Sequence, residues 1–313
     1  MLRFLLPAVL AVSAFAADPL FELSGQLLPP RRASVSLFGT RNPFTAATLS
    51  DATGRFTFKK LQADDYTIAV FIAGRGEARR TVEVGPAAAG SHGRVALTLG
   101  LKDSDFELAA VVPQYSVSTS QLAIPKAALR QYLEAEKDLE KRDPDGAVKR
   151  LEQAVKMAPD FAMAWNGLGT IAYQTRRFDR AEECFRQALR EDPEAFEPLV
   201  NLGGVLVTEH KLDQAADYNL RAVLTRPNDA LANSQLGLTY FELARMELAQ
   251  KYLERTRQID PAHFSHPQLL LAEIHLRRGE RREAADVLEE FLRYHPDWPQ
   301  AAKMRETIAQ LRQ

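Results

Sequence analysis

The sequence predicts a multidomain protein in which an all-β sandwich precedes an all-α superhelix of stacked helical repeats, an α-solenoid. Residues 19–101 hold short alternating runs rich in Val, Thr, Phe and Ile, broken by Gly, Pro, Asn and Asp, which is the pattern of strands and turns. From residue 126 the apolar period changes from 2 to about 3.6, as in amphipathic helices. Within that half, prolines at positions 159, 193, 227 and 261 recur every 34 residues. A fixed interval of this length is typical of stacked helical repeats.

The first 16 residues have the composition of a secretory signal peptide. Arg3 precedes the apolar run at residues 4–12, and residues 14–16 supply a small-residue cleavage site. The run is shorter than the about 20 residues that span a bilayer, so cleavage after Ala16 is expected rather than anchoring. The single cysteine, Cys184, lies far from the cleavage site, which argues against a lipid-anchored N-terminus and against an intramolecular disulfide. We therefore expect a secreted or periplasmic protein with no transmembrane segment after signal removal.

The sandwich is predicted over residues 19–101. In its clearest strands Phe56 and Phe58 point to one face, as do Tyr66, Ile68 and Val70, while their neighbours point away. Such alternation suits an antiparallel sandwich with one buried face per sheet. The predicted strands are residues 21–28, 34–38, 55–58, 66–72, 80–84 and 94–99, with a further strand at 106–112.

A tight turn is predicted at residues 51–54. Gly54 can take the positive φ that such a turn needs, and the side chain of Asp51 can cap the turn backbone. The turn leads into the alternating strand Arg55-Phe56-Thr57-Phe58. Together with the run Tyr66-Thr67-Ile68-Ala69-Val70, this segment resembles the carboxypeptidase regulatory-like domain, an immunoglobulin-like or transthyretin-like sandwich. The resemblance covers about residues 22–84, and Asp65 stands where that family usually has glycine.

Residues 102–125 are predicted to be a linker, because they are irregular and polar and carry Pro113 and Pro125. Beyond it, the residues between the periodic prolines repeat in phase. Leu-Gly recurs at residues 168–169, 202–203 and 236–237, and alanine recurs one helix later. Since helix axes about 8 to 10 Å apart leave no room for large side chains, small residues are expected where paired helices cross.

The phased pattern is similar to that of the tetratricopeptide repeat, whose unit is a pair of antiparallel helices. We expect five repeats over residues 126–298, followed by a capping helix over residues 299–313 that shields the end of the stack. The resemblance implies a concave wall, lined by the first helix of each pair, on which a protein or peptide partner binds. The implied wall positions are Tyr132, Met163, Asn166, Tyr173, Val200, Asn201, Val207, Ser234, Gln235, Leu238, Phe241, Leu269, Glu273 and Arg277.

Within this wall Asn201 and Gln235 are suited to hydrogen bonding with an extended peptide backbone. Tyr173, Leu238 and Phe241 are suited to apolar side chains of a partner. A clamp for a terminal carboxylate needs several Lys or Arg on the wall, and of the predicted positions Arg277 alone supplies one. A carboxylate clamp is therefore not expected, and we expect the wall to hold a segment of another exported or envelope protein.

Catalytic chemistry is not indicated. No phosphate-binding loop, nucleophile elbow or zinc-protease motif occurs, and no cofactor is expected. His263 and His266 are best explained as loop polarity, and Cys184 as a thiol packed in or beside the core. The net charge of −1 argues against general nucleic-acid binding.

The sequence thus favours an exported, non-enzymatic scaffold that binds protein partners through the concave face of its repeats. One alternative is a carbohydrate-binding accessory protein, in which Tyr66 or Phe71 stacks on sugar rings and the basic residues Arg75, Arg79 and Arg80 meet an acidic surface or polysaccharide. Another is a non-catalytic subunit of an envelope enzyme complex. The sandwich is also compatible with a role as a spacer.

Overall fold

A computed structural model describes residues 19–106 and 124–313 of the chain. The predicted signal peptide therefore lies outside the described residues, and so do most of the predicted linker and the predicted strand at residues 106–112, apart from its first residue. No helix within residues 19–106 or 124–313 is long and apolar enough to cross a membrane.

The N-terminal described segment forms two sheets. One has the strand order β4-β1-β7 and the other the order β3-β2-β5-β6. Side chains from both sheets meet in one core, in which Tyr66 is only 2% exposed. The strands are β1 (Phe21–Leu28), β2 (Ser34–Gly39), β3 (Thr45–Leu49), β4 (Arg55–Leu61), β5 (Asp64–Ile72), β6 (Gly76–Val84) and β7 (Arg94–Gly100).

The predicted alternation and turn are both confirmed. Phe56, Phe58 and Tyr66 are buried, as expected for residues on the inner faces of a sandwich. Gly54 has a φ of 80°, and Asp51 Oδ1 accepts hydrogen bonds from the backbone N–H of Thr53 at 2.8 Å and of Arg55 at 2.9 Å. These bonds hold the pKa of the Asp51 carboxyl below its ordinary value, with the Thr53 hydroxyl as the largest cause.

Two features of the sandwich differ from the sequence prediction. Strand β3 was not predicted, because its sequence Thr-Ala-Ala-Thr-Leu lacks the alternation of large and polar residues that marks a strand. The sandwich is not wholly antiparallel either, since β7 pairs with β1 in parallel from Glu22↔Arg94 to Leu28↔Gly100. The chain leaves the four-stranded sheet after β6 and returns to the other sheet beside its first strand, so the pairing direction follows from the topology.

The C-terminal described segment is all helical. Its helices pack as antiparallel pairs, α1 with α2, α3 with α4, α5 with α6, α7 with α8 and α9 with α10, and α11 packs against α10. They are α1 (Lys126–Glu140), α2 (Pro144–Met157), α3 (Ala162–Gln174), α4 (Phe178–Glu191), α5 (Phe196–Thr208), α6 (Leu212–Thr225), α7 (Ala230–Glu242), α8 (Met246–Ile259), α9 (Pro267–Arg277), α10 (Arg281–Tyr294) and α11 (Ala301–Leu311).

Small residues do lie where paired helices cross. A Cβ atom built on Gly169 would lie 2.5 Å from Cε1 of Phe185, and one on Gly237 would lie 2.8 Å from Cγ of Leu253. Ala181 on α4 is fully buried. The interior of the solenoid therefore consists of close contacts between glycine or alanine on one helix and a larger side chain on its partner.

The turn inside each helix pair contains one residue in the left-handed region. These residues have φ between 57° and 77°, follow the first helix of the pair, and keep the repeat spacing until the last pair. Only the last is glycine, so the other turns hold a side chain in a region that costs about 1 to 2 kcal/mol for a residue with a Cβ atom. They are Arg142, Arg176, His210, Ala244 and Gly279.

Candidate partner-binding groove

The first helices of the pairs form one side of the solenoid. Besides packing on its own partner, α3 contacts α5, α5 contacts α7, and α7 contacts α9. Helices that approach each other across neighbouring repeats lie on the inner, more tightly curved side of a stack. All fourteen predicted wall residues lie on first helices, and we call the side of the solenoid formed by these helices the groove.

The predicted wall residues differ in exposure. Val200 and Ser234 are buried, at 2% and 5% exposure, while Met163 is 44% exposed. Glu273 and Arg277, at the C-terminal end of the groove, are exposed. The remaining predicted positions are half-buried: Tyr132, Asn166, Tyr173, Asn201, Val207, Gln235, Leu238, Phe241 and Leu269.

Several of these side chains already bond within the wall. The amide Nδ2 of Asn201 donates to Oδ1 of Asn166 at 3.3 Å, which links α5 to α3. The guanidinium of Arg277 lies 4.8 Å from the ring centroid of Phe241, and its Nε donates to Oε1 of Glu273 at 3.1 Å. A role for Asn201 in binding a peptide backbone stays a prediction, and it would require the amide to exchange its present partner.

The β-sandwich itself docks on the groove side of the solenoid, a contact that was not predicted from the sequence. At one end, Arg142 donates to the carbonyl of Lys60 at 2.8 Å and to Oε1 of Gln62 at 2.9 Å, and it lies over the ring of Phe44. Nearby, Nε2 of Gln174 donates to the carbonyl of Gly39 at 3.0 Å. Strand β3 also packs directly along α1.

The centre of this docking contact is an ionic cluster. Arg79 on β6 donates to Oε1 of Glu77 at 2.6 Å and to Oε1 of Glu197 on α5 at 3.0 Å. Arg226, between α6 and α7, approaches the same Glu197 oxygen at 3.1 Å, and its guanidinium lies 4.1 Å from the ring centroid of Phe196. The cluster therefore joins the sandwich to the third helix pair, α5 with α6.

The ionic cluster stays charged. Burial alone would lower the pKa of Arg79, but the charges of Glu77, Glu197 and Asp229 outweigh burial and raise it. Burial likewise opposes ionisation of Glu197, yet Arg226 and Arg79 hold the pKa of that carboxyl below its ordinary value. Both groups are therefore ionised at neutral pH, and the docking contact is electrostatic at its centre.

A third set of contacts lies near the C-terminal end of the groove. The backbone N–H of Thr81 on β6 donates to Oδ2 of Asp260, between α8 and α9, at 2.8 Å. Asp260 is only 3% exposed, and burial raises the pKa of its carboxyl despite this hydrogen bond. The docking contact thus runs from Arg142 in the first helix pair to Asp260 after the fourth.

The groove residues beside the sandwich also have shifted pKa values. Burial raises the pKa of the Tyr132 hydroxyl, and the charges of Glu136 and Glu197 add to this effect. Burial raises the pKa of the Glu136 carboxyl, which is hydrogen bonded to the side chain of Thr45 on β3. These shifts reflect enclosure between sandwich and solenoid rather than the facing acid and base of a catalytic site.

Three sequence interpretations are corrected by these contacts. Tyr66 is buried in the sandwich core, so it is not available to stack on a sugar ring. The basic residues are not a free patch, because Arg75 pairs with Asp103, Arg79 with Glu77 and Glu197, and Arg80 with Asp105. His263 is not a solvated loop residue either. It is 3% exposed, and burial, with the nearby His266, lowers its pKa to about 3.

The prediction for the cysteine is confirmed. Cys184 is fully buried on α4, and burial raises the pKa of its thiol to about 11, so it is neutral at physiological pH. Among residues 19–106 and 124–313, no group of three or more His, Cys, Asp or Glu side chains is placed to hold a metal ion.

Comparison with known proteins agrees with the repeat architecture. Two family profiles, both described as tetratricopeptide repeat, match residues 132–196, 169–230 and 269–311 and residues 230–263. Together the matches cover more than half of the chain. The chain is a tetratricopeptide-repeat protein. In this family's terms the groove is the inner surface of a tetratricopeptide superhelix, whereas the β-sandwich is matched by neither profile.

Solved structures of low identity share the tetratricopeptide fold. The type IV pilus biogenesis factor PilW has a TM-score of 0.51 at 20% identity, covering 60% of this chain and 91% of its own. Pseudomonas aeruginosa PilF also has a TM-score of 0.51 at 20% identity, covering 59% of this chain and 88% of its own. At this identity the likeness concerns the fold alone.

Among curated proteins, similarity extends to parts of larger chains. Anaphase-promoting complex subunit 7 of Arabidopsis thaliana is 25% identical over 54% of this chain and 30% of its own length. The UDP-N-acetylglucosamine–peptide N-acetylglucosaminyltransferase of Giardia intestinalis is 24% identical over 45% of this chain and 10% of its own length. This chain therefore matches less than a third of either relative.

Proposed function

We propose that this protein is a non-enzymatic scaffold whose tetratricopeptide groove is a polypeptide-binding surface. One observation carries the proposal: the groove side already holds a folded polypeptide, the chain's own β-sandwich, through Arg142, Gln174, Glu197 and Asp260. A surface that binds main-chain carbonyls, a main-chain N–H and a guanidinium has the chemistry needed for another protein segment. The relation to a subunit of the anaphase-promoting complex, which is named as part of an assembly, supports the same role.

The proposal includes export. Its support is the sequence of residues 1–16, with one basic residue, a short apolar run and a small-residue cleavage site. Fractionation of the source cell with intact-mass measurement tests this part. We expect the protein outside the cytoplasm with a mass that corresponds to cleavage after Ala16. A full-length mass in the cytoplasmic fraction would contradict export and leave the groove argument unaffected.

The sandwich is proposed to belong to the carboxypeptidase regulatory-like domains, on the strength of its turn at residues 51–54 and the strands that follow. Polysaccharide binding is the weaker candidate for this domain. Tyr66 is in the core, and of the two aromatic residues considered only Phe71, at 36% exposure, remains partly accessible. Docking on the groove gives the sandwich a structural role that needs no sugar.

Chemical cross-linking in the source cell followed by affinity capture tests the scaffold proposal. The groove variant is Tyr173→Ala with Asn201→Ala, two half-buried residues of the wall. The matched control is Leu224→Ala with Leu248→Ala, since both leucines are exposed on second helices, at 70% and 38%. We expect wild type and control to capture the same partner and the groove variant to lose it.

Two outcomes would change the conclusion. If the groove variant and the wild type capture the same partners, the groove is not the binding surface. If the partner is a hydrolase and is retained by every variant, the protein is better described as a non-catalytic subunit of an enzyme complex that binds through another face. Circular dichroism of each variant is needed first, to show that helix content is unchanged.

A further inference from the structure

Strand β6 contacts the groove side of the solenoid through the first turn of α5 and the residues that follow α6 and α8, as an extended peptide could. Among the described strands it is at the edge of its sheet, because the order β3-β2-β5-β6 gives β6 a strand partner on one side only. Glu77, Arg79 and Thr81 alternate along β6, so their side chains share one face. That face and edge meet Glu197, Arg226 and Asp260 of the solenoid.

The groove supplies a defined receptor for the guanidinium of Arg79. Oε1 of Glu197 accepts its hydrogen bond, the ring of Phe196 lies 5.7 Å from its Cζ atom, and the charge of Asp229 reinforces the site. The side chain of Arg79 is only 22% exposed. An anionic acceptor beside an aromatic ring is an arrangement that selects arginine over lysine, because a planar guanidinium both stacks and donates in a fixed direction.

Two more groups of the solenoid contact β6, one on each side of Arg79. Arg226 faces the carboxylate of Glu77, two residues before Arg79, at 3.8 Å. Asp260 accepts the main-chain N–H of Thr81, two residues after it. The groove therefore recognises an acidic side chain, an arginine and a main-chain N–H in sequence along one extended segment.

The contact between β6 and the solenoid consists of interactions that a free segment with the same groups can replace. Its directional contacts are hydrogen bonds and ion pairs. Apart from the buried Asp260, the groups are partly exposed, and pairs between such groups contribute little to stability one by one. The sandwich is covalently attached, so its effective concentration at the groove is high even where its intrinsic affinity is modest. A free segment with the same chemistry can compete once the attached strand is weakened.

We propose that the groove binds an extended segment of a partner protein with the pattern Glu-x-Arg, and that β6 is an internal copy of this ligand. The partner's arginine enters the site formed by Glu197 and Phe196, its acidic residue meets Arg226, and a main-chain N–H two residues further meets Asp260. Binding of the partner releases the sandwich from the groove. The inference rests on the proposed function and names the chemistry of its partner.

The test uses full-length protein and a fluorescent peptide with the β6 sequence, Gly-Glu-Ala-Arg-Arg-Thr-Val-Glu-Val. Arg79→Ala weakens the internal copy without changing the groove, so the peptide is expected to bind this variant at least about 10-fold more tightly than wild type. Arg80→Ala is the matched control, because Arg80 forms its ion pair with Asp105 within the N-terminal segment, whereas Arg79 forms one with Glu197. It is expected to behave as wild type. Small-angle scattering should show expansion of Arg79→Ala on addition of peptide.

A second set of variants tests the receptor. In the Arg79→Ala background, Glu197→Gln is expected to weaken peptide binding about 30-fold or more, since it leaves the peptide's arginine without its charged partner. A peptide with alanine in place of the fourth residue should fail to bind. Arg79→Glu places a like charge against Glu197 and releases the internal strand more completely, so it should bind the peptide at least as well as Arg79→Ala.

If neither Arg79→Ala nor Arg79→Glu binds the peptide while both are folded by circular dichroism, the proposal is overturned. Equal binding to wild type, Arg79→Ala and Glu197→Gln would overturn it as well, because the peptide would then bind outside the groove. A groove-dependent partner captured in the source cell together with a failed peptide experiment would leave the scaffold function in place and reject only the assigned ligand chemistry.

Discussion

The interior of the solenoid is held by apolar packing, whereas the contact between solenoid and sandwich is held by charged and main-chain groups. Within the solenoid, Gly169 and Ala181 let helices approach until large apolar side chains such as Phe185 fill the remaining space. At the docking contact, Arg79, Glu197 and Arg142 bond across a boundary through charged and main-chain groups. Apolar close packing cannot be exchanged piece by piece, whereas polar contacts can be replaced by a competitor with the same groups. The contacts inside the solenoid are therefore harder for a competitor to replace than those of the docking contact.

The largest expected effect is in the solenoid interior. Ala181→Leu adds three carbon atoms at a fully buried helix crossing, and we expect it to lower the free energy of unfolding by about 1 to 3 kcal/mol through overpacking. The measurement is chemical denaturation followed by circular dichroism. Glu183→Leu on the same helix is the control, since the Glu183 side chain is 66% exposed and should change stability by much less. Equal stability of Ala181→Leu and wild type would show that the helices are not closely packed at this crossing.

A smaller effect is expected at a crossing where the interior is polar. Asn219 is fully buried against Gly203, where the neighbouring repeats place Phe185 against Gly169 and Leu253 against Gly237. Within residues 19–106 and 124–313 its Oδ1 has no hydrogen-bond partner, although its Nδ2 donates to Thr239. Asn219→Leu removes a buried unsatisfied acceptor, so we expect it to stabilise the protein by about 1 kcal/mol in the same assay.

The control for that substitution is Asn219→Ala. Alanine also removes the unsatisfied acceptor but leaves space beside Gly203, so it should be less stable than the leucine variant. Thr239 keeps its own hydrogen bond to the carbonyl of Gln235 at 2.7 Å in either variant. A leucine variant that melts below wild type would mean that the amide is held by contacts beyond those described and that the interior is more tolerant of polarity than the comparison implies.

The smallest effect on unfolding is expected at the docking contact. Arg142→Ala removes the bonds to Lys60 and Gln62, and since these are partly exposed groups we expect a loss of at most about 1 kcal/mol. The same variant should nevertheless show a larger radius of gyration in small-angle scattering. The increase should be clearest in about 0.5 M salt, where a Debye length of a few ångströms screens the remaining ionic contacts of the docked sandwich.

Arg176→Ala is the matched control for this variant. Arg176 occupies the same left-handed turn one repeat later, with a φ of 61° like that of Arg142, and it is exposed. The two substitutions therefore change the backbone preference equally and differ in the contact with the sandwich. If both variants expand to the same extent, the docking contact does not depend on the Arg142 side chain.

The fold class was predictable because its evidence is local and periodic. The glycines and alanines of the helix crossings recur at a constant spacing, and Phe56 and Phe58 show their buried face by simple alternation. Strand β3 was missed because alanine and threonine give no such alternation. The left-handed turn residues also follow the repeat, but only Gly279 has the residue type that signals a positive φ.

The docking contact was not predictable, for a different reason. Arg79 and Glu197 look like any pair of solvated charges in the sequence, and 118 residues separate them. Thr81 and Asp260 are 179 residues apart and interact through a main-chain N–H that no sequence motif marks. The resemblance to known repeats indicated where the groove lies. It carried no information on which part of the same chain occupies it.

The long sequence separation of the docking partners also determines the order in which they are synthesised. A chain made from its N-terminus completes the seven-stranded domain long before the codon for Asp260 is read, and the repeats then emerge one at a time. The sandwich is therefore complete before the solenoid surface on which it docks has been synthesised. Since Glu197 precedes Asp260 in the chain, the bond to Arg79 can form before the bond to Thr81, and the docking contact is completed in stages.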